Sequence, residues 1–218
     1  MRAKAKPSIV IGSDEAGKGE WLGPLVIAAV AITPEQSSYL VIQGVMDSKK
    51  LRIDTILKLA DIIKKNSISH YVITITPQRF NKLLLEVKRE KKSLNDILAW
   101  AHAKAIWHVY EEIKERKLQG KIKVVIDEFD KLKTERRLKR ILKLSELEII
   151  QRPRAEEETA VAAASILAKA TREHWLDRMS RYLHLDLRSI SARDALTYDN
   201  VNLFAKVGFL NRSLQEGP

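Results

Sequence analysis

Short apolar stretches bounded by glycine, proline or charged residues recur along this chain and predict buried strands. The first two read SIVIGS and LVIAAVAI, and the turn EAGKGEWLGP that joins them predicts a hairpin with a longer loop. The predicted strands cover residues 8–13, 25–32, 70–77, 121–129 and 147–153.

Segments with apolar residues three and four positions apart separate the later strands and predict helices over residues 51–65, 77–87, 93–116, 134–144 and 156–181. Ser93 and Asp96 have the spacing of a capping box, and residues 160–164 are rich in alanine, which would let the last helix lie close to a sheet. The alternation predicts an α/β fold with a mixed five-stranded sheet flanked by helices. We expect a single domain over residues 1–218, with a core at 8–180 and a helical region at 182–218.

The charge balance indicates a polyanionic partner. The 218 residues include 39 Lys and Arg against 28 Asp and Glu, a formal net charge of +11, and nucleic acid is the commonest large polyanion. Solvated surface lysines are the alternative. The chain has no cysteine, which excludes disulfides and cysteine-bound metals. It shows no signal segment or membrane-length apolar run, so we expect a cytoplasmic monomer with no membrane contact.

Carboxylates stand where two predicted strands end. Asp14 and Glu15 follow the first strand, Asp127 closes the fourth, and residues 156–158 are three glutamates that begin the alanine-rich helix. If the two strands are parallel neighbours, their acids emerge at one edge of the sheet, where ligand sites form. Turn and helix-capping roles are the alternatives for each acid alone. Clustered carboxylates repel one another unless a cation is present, which favours Mg²⁺ or Mn²⁺ and two-metal phosphodiester hydrolysis.

An ordered set of motifs resembles the ribonuclease HII/HIII family. DEAGKG, LGP with an apolar strand, DSKKL, VVIDEF and AEEETAVAAASILAKATRE follow one another in the family's order. The resemblance implies a ribonuclease H-like fold and metal-dependent cleavage of the RNA strand of RNA–DNA hybrids, leaving 3′-hydroxyl and 5′-phosphate ends. It also implies that the metals are held by Asp14, Glu15, Asp127 and Glu156, with Glu157 as the alternative for the last.

The substrate contacts follow from the same motifs and from local chemistry. The glycines of the GKG turn would bring backbone N–H groups close to nucleic acid, although a plain hairpin loop is the alternative. Lys169 and Arg172 share a face of the predicted helix. We expect contacts from Gly17, Lys18, Gly19, Ser48, Lys49, Lys169 and Arg172, and from Trp21 beside the turn. Ordinary solvent exposure is the alternative for Ser48 and the basic residues.

The motifs divide between the two types of the family. A glutamate as fourth acid and the run AVAAASI resemble type HIII, whereas LAKATRE resembles type HII. Type HIII members carry an N-terminal substrate-binding domain, and we expect only a short arm here. Tyr182 and Tyr198 stand in the contexts SRYLH and LTYDN, not in the Lys-Gly-Tyr-Gly segment of type HII. The rival functions are another ribonuclease H-fold nuclease, such as a junction resolvase, and a hybrid-binding protein without catalysis.

Overall fold

The computed structural model describes residues 9–118, 120–127, 148–152 and 155–216. Within these residues, strands form a five-stranded mixed sheet in the order β3-β2-β1-β4-β5. Strand β1 pairs antiparallel with β2 and parallel with β4, which confirms the predicted hairpin. The outer pairs are antiparallel for β2 with β3 and parallel for β4 with β5. The strands are β1 Ile9–Ala16, β2 Leu25–Ile32, β3 Ser69–Ile75, β4 Ile122–Asp127 and β5 Glu148–Arg152.

Helices cover both faces of this sheet. They are α1 Pro34–Ile42, α2 Ile53–Asn66, α3 Pro77–Arg89, α4 Leu94–Glu115, α5 Thr159–Leu183, α6 Ala192–Ala195 and α7 Val207–Glu216. Short 3₁₀ turns lie at Ser48–Lys50, Ala155–Glu157 and Val201–Leu203. The basic helix predicted at residues 134–144 lies outside the described residues.

Helix α1 was not predicted because it shows little apolar periodicity, and Leu40 is its one buried residue. Its start is nevertheless encoded locally. Thr33 and Gln36 form a capping box, and Pro34 stands at the first helical turn, where its missing N–H costs nothing.

Strand alternation divides the core into two layers. On one face, Ile11 and Ile27 pack with residues of α3 and α4, such as Phe80 and Ile106. On the other face, Val26 and Ala28 pack with residues of α2 and α5. Strand β2 is buried at every position, which explains why it reads as an unbroken apolar run.

The alanine-rich start of α5 lies directly on β1, as its small side chains predicted. A Cβ on Gly12 would stand 2.2 Å from the carbonyl carbon of Ala160 and 2.3 Å from the nitrogen of Val161. The following alanines of the helix are buried against the sheet. Helix and strand are therefore in backbone contact at Gly12.

The C-terminal region is helical, as predicted. It packs through a third apolar cluster that includes Trp175 and Leu176 of α5 together with Leu187, Phe204 and Leu210. Across the described part of the chain, the helices are all too short or too polar to cross a bilayer.

We expect Gly12→Ala to lower the free energy of unfolding by about 1–3 kcal/mol or more, since the added methyl group collides with helix backbone that has no room to yield. Gly19→Ala is the matched control, because no described atom lies within 4 Å of the position that its Cβ would take. Urea unfolding of both variants measures the effect. Equal stability of the two would mean that α5 does not lie as closely on β1 as the structure has it.

Candidate active site

The register of the sheet brings two of the predicted acids to one edge. Strands β1 and β4 are parallel neighbours, with Ser13 opposite Ile126. Asp14 and Asp127 occupy the next positions of the two strands, so their backbones meet at the same edge of the sheet. The side chain of Asp127 lies outside the described part of the structure. The parallel pairing on which the sequence argument depended is confirmed, and it brings the backbones of the two acids to one edge of the sheet.

Asp14 and Glu15 lie within β1 and not after it, which corrects the predicted end of this strand. The ladder with β2 continues to Ala16, so Asp14 stands opposite Ala28 and Glu15 opposite Ile27. Because side chains alternate along a strand, the two carboxylates start from opposite faces of the sheet. Asp14 shares the α5 face with Gly12, whereas Glu15 shares the α4 face with Ser13.

A cavity of about 270 Å³ opens at this edge, and most of the predicted site residues line it. Its walls come from the end of β1, the loop after it, the 3₁₀ turn Ser48–Lys50 and one side of α5. The lining residues are Asp14, Glu15, Ala16, Gly17, Lys18, Glu20, Asp47, Ser48, Lys49, Ser165, Lys169 and Arg172. Gly19 is absent from this lining.

Glu15 is held at both of its oxygens. Its Oε2 lies 3.2 Å from Nε2 of His102, and its Oε1 lies 3.3 Å from Nζ of Lys18. Burial raises the pKa of Glu15, but the His102 hydrogen bond and the charges of His102 and Lys18 outweigh this effect and bring the pKa to about 2. Glu15 is therefore anionic at neutral pH.

His102 was not singled out from the sequence. It occupies a position on the apolar stripe of α4, between Leu98 and Ala105, and is fully buried. The sequence did contain one signal, a histidine on an otherwise apolar helix face. Such a residue is expected to be buried and therefore to need a hydrogen-bond partner. That partner is the acid end of β1, which the sequence does not place next to α4.

The 3₁₀ turn Ser48–Lys50 is fastened to α5. The Ser48 hydroxyl lies 2.7 Å from that of Ser165, and Nζ of Lys169 donates to the Ser48 carbonyl at 3.3 Å. Asp47 caps the turn by accepting a hydrogen bond from the Lys49 backbone. The hydroxyl of Ser48 is thus directed into the protein, while Lys49 is exposed at the cavity.

Arg172 differs from Lys169 although both were predicted to contact substrate. Its guanidinium is buried, pairs with Glu20 and Glu173, and donates to the Leu22 carbonyl at 2.9 Å. The predicted phosphate contact from Arg172 fits poorly with this burial, because each terminal nitrogen already has an internal acceptor. We therefore assign Arg172 to the support of the loop between β1 and β2.

The C-terminal region supports the same loop from the other side. The Gly23 nitrogen donates to the Phe204 carbonyl at 2.8 Å, and the Lys206 nitrogen donates to the Trp21 carbonyl at 2.7 Å. Trp21, expected at the substrate, packs instead against the C-terminal apolar cluster. Nothing in the sequence signalled these long-range backbone contacts.

Lys206 is a fully buried lysine within this support. Its Nζ donates to the Gly23 carbonyl at 2.7 Å. Burial and the charge of Arg172 lower the pKa of Lys206, the charge of Glu20 opposes both effects, and together they bring this pKa to about 7. The sequence signal for this buried lysine was its position as the one charged residue of the apolar segment FAKVGF.

The donor set at the cavity suits a hard divalent cation, because its described members, Asp14 and Glu15, are carboxylates. No group of three or more potential metal ligands is found among the described side chains. Asp127 and Glu156, which were predicted to complete the set, are described only by their backbones. The chemistry of the residues present is thus compatible with Mg²⁺ or Mn²⁺.

Comparison with known proteins gives a consistent family. A family model described as Ribonuclease HII matches residues 11–194. Ribonuclease HIII of Protochlamydia amoebophila (strain UWE25) is 39% identical over 178 residues, which cover 81% of this chain and 55% of that protein. Ribonuclease HIII of Chlamydia pneumoniae is 39% identical over 162 residues, which cover 73% of this chain and 50% of that protein. The chain therefore spans about half the length of these curated relatives.

Solved structures agree on the fold. The crystal structure of Bst-RNase HIII in complex with Mn²⁺ has a TM-score of 0.76 and 23% identity, covering 98% of this chain and 71% of that chain. At this identity the likeness shows the fold alone. Ribonuclease H2 from Pyrococcus horikoshii OT3 has a TM-score of 0.66 and 27% identity, covering 80% of this chain and 77% of that chain. The predicted ribonuclease H-like fold is confirmed.

We expect the buried lysine to make stability depend on pH. Lysine in an unfolded chain has a pKa of about 10.4, so between pH 7 and that value the unfolded chain binds more protons at Lys206 than the folded protein. The free energy of unfolding should then rise with pH in this window, by up to about 1.4 kcal/mol per pH unit from this one group. Lys206→Met lacks this contribution.

Urea unfolding of wild type and Lys206→Met across this pH window measures the effect. The difference, wild type minus variant, should grow as the pH rises. Lys104→Met, at an exposed position of α4, should run parallel to wild type. A constant difference between wild type and Lys206→Met would contradict the lowered pKa.

Proposed function

Because this chain belongs to the ribonuclease HII family, we propose that it is a divalent-metal endoribonuclease that hydrolyses the RNA strand of RNA–DNA hybrids. The observation that carries the proposal is the parallel register of β1 and β4, which brings Asp14 and Asp127 to one edge of the sheet. Acids from neighbouring strand ends are suited to hold ions that act on one phosphate. Lys49 and Lys169 at the adjoining cavity provide positive charge for the nucleic-acid backbone.

In this proposal Asp14, Glu15, Asp127 and Glu156 would hold two divalent ions. Bound Mg²⁺ or Mn²⁺ supplies activation of the attacking water and charge stabilisation at the leaving oxygen, which yields 3′-hydroxyl and 5′-phosphate ends. The Mn²⁺ in the structure of Bst-RNase HIII supports this choice of ion. The chain's own part is to hold the carboxylates in place and to keep Glu15 anionic, which its low pKa favours.

The fourth acid is proposed to be Glu156, with Glu157 as the alternative. The two residues lie in the 3₁₀ turn before α5 and not in the helix itself, and successive backbone positions in such a turn are about 120° apart around its axis. Glu157 is exposed and lines a different cavity, together with Met46 and Thr159. Glu158 pairs with Lys123 of β4 at 3.5 Å. These two placements support Glu156.

The substrate contacts are proposed to come from the loop after β1 and from the lysines around the cavity. Gly17 has a φ of +83°, and a Cβ there would stand 2.4 Å from the Pro24 carbonyl oxygen, so this position requires glycine. Backbone groups at Gly17 and Gly19 and the ammonium groups of Lys18, Lys49 and Lys169 then face the nucleic acid. Ser48 and Arg172 would act indirectly, by holding the turn and the loop.

We also propose that the chain functions as a single-domain monomer in the cytoplasm, with residues 8–180 as core and residues 182–218 as its helical extension. The contacts of Phe204 and Lys206 with the loop support one domain, because they join the extension to the site.

We expect Asp14→Asn to lower hybrid cleavage by orders of magnitude and to leave hybrid binding nearly unchanged. The substitution removes the anionic oxygen that a metal needs, whereas binding depends on the basic surface. Asp61→Asn is the matched control, because Asp61 is exposed and pairs with Lys64 on α2. Cleavage of a labelled hybrid and fluorescence anisotropy separate the two effects. Near-normal turnover by folded Asp14→Asn would refute the site.

We expect cleavage within runs of several ribonucleotides and weak action on a single ribonucleotide embedded in DNA. A run offers successive 2′-hydroxyls along a wide, shallow minor groove, which backbone groups at Gly17 and Gly19 are suited to contact. Tyr182 is exposed, and Tyr198 packs on Phe204 in the C-terminal cluster. Among the described residues, neither placement supports a tyrosine dedicated to recognising the 2′-hydroxyl of one ribonucleotide.

Duplexes that differ only in ribonucleotide content, assayed in Mg²⁺ and in Mn²⁺, test this preference. A four-way DNA junction in the same series distinguishes a resolvase, and binding without cleavage of any duplex would identify a silent hybrid-binding protein. Equal or better cleavage at the single ribonucleotide in Mg²⁺ would contradict the expectation.

A further inference from the structure

A buried hydrogen-bond chain runs from the middle of the sheet to the acid end of β1. The Ser13 hydroxyl donates to the Ala28 carbonyl of β2 at 2.8 Å and lies 2.8 Å from Nδ1 of His102. Nε2 of the same ring lies 3.2 Å from Oε2 of Glu15. Ser13 and His102 are both fully buried. The chain therefore connects a backbone atom of the central strands to a carboxylate at the cavity.

Contacts at both ring nitrogens fix the orientation of the imidazole. Nδ1 lies 2.8 Å from the buried Ser13 oxygen, which is itself held at the Ala28 carbonyl. On the other side of the ring, Nε2 is the donor to Glu15, because an ionised carboxylate can only accept a hydrogen bond. The Nε2 atom is then held towards Glu15, and the surrounding core of α4 leaves the ring no room to turn away.

The two partners of Glu15 are unequal. The His102 side chain is completely buried and anchored to the sheet, whereas the Lys18 side chain is 39% exposed and its Nζ reaches Oε1 from the loop. A flexible ammonium can leave when another cation arrives, but a buried ring cannot. Oε2 is thus the fixed oxygen, and Oε1 is the one that a metal can take.

We propose that His102 is a positioning residue that, together with Ser13, holds one oxygen of Glu15 so that the other is presented to a divalent metal. The need for such a device follows from β1, where Glu15 and Asp14 start from opposite faces of the strand. Glu15 would therefore reach an ion bound by Asp14 only if its carboxylate is kept at the edge of the strand. The inference rests on the proposed function of this site.

Two substitutions at position 102 separate positioning from packing. The terminal amide of glutamine reaches about as far as Nε2 and keeps a donor for Glu15, whereas the shorter asparagine amide reaches only towards Ser13. We expect His102→Asn to weaken Mn²⁺ binding to the substrate-free protein by about 10–100-fold, the range seen when such outer partners are lost. His102→Gln keeps the donor to Glu15 but not the contact with Ser13, so it should lose less affinity than His102→Asn.

Isothermal titration calorimetry of the full chain with Mn²⁺ measures this without any cleavage assay. His108→Gln is the matched control, because His108 lies on the same helix but stacks on Tyr71 at 4.0 Å between ring centroids. It should bind Mn²⁺ as wild type does. In parallel, the metal concentration for half-maximal cleavage should rise for His102→Asn and rise less for His102→Gln.

Ser13→Ala keeps the imidazole and removes only its anchor, so it tests the proposal if His102→Asn does not fold. We expect it to weaken Mn²⁺ binding in the same direction. Equal Mn²⁺ affinity of wild type, His102→Asn and Ser13→Ala would overturn the inference, as would an equal loss in His102→Asn and His102→Gln. If wild type binds Mn²⁺ with the expected order of variants but cleaves no hybrid, the positioning role stands and the proposed function fails.

Discussion

The close packing of helix α5 on strand β1 is the constraint on which the rest of the site depends. Contact begins where Gly12 leaves room for the backbone of Ala160, and it ends where Arg172 reaches Gly17. From Ala160 to Arg172 the helix rises by about 18 Å, and from Gly12 to Gly17 the strand rises by about 17 Å. The two elements therefore run alongside each other over the whole of this distance. Any side chain at Gly12 would lift the helix away and separate the two walls of the cavity.

Each acid or turn at the cavity is held by a partner from a different layer of the fold. His102 reaches Glu15 from α4, on one face of the sheet. Ser165 and Lys169 hold the Ser48–Lys50 turn from α5, on the other face. The parallel strand β4 brings Asp127 alongside Asp14. A site built in this way is rigid because its supports belong to separate elements that are themselves packed in the core.

Two of the cations nearest the loop after β1 are structural. The terminal nitrogens of Arg172 have carboxylates and a carbonyl as partners, which compensate the burial of these two atoms. Lys206 is bonded to the neutral Gly23 carbonyl and lies near Arg172, so its charged form is disfavoured and its pKa falls. The positive charge that remains accessible around the cavity is on exposed or half-exposed side chains such as Lys49 and Lys18.

The sequence by itself determined most of the elements and singled out the candidate acids. The unbroken apolar run of β2, the capping box at Ser93 and the alanines of α5 are local signals, and each was found where it was predicted. Helix α1 was not predicted, because Leu40 is its single buried residue and one apolar position cannot show helical periodicity. The end of β1 was set too early because its ladder with β2 continues through two charged residues.

Tertiary structure alone decided that His102 meets Glu15, that Arg172 turns inward and that Lys206 fastens the loop, because these contacts join residues 87, 150 and 183 positions apart. Hydropathy and propensity act over a few neighbouring residues, whereas hydrogen bonds between buried polar groups are chosen only after the layers have packed.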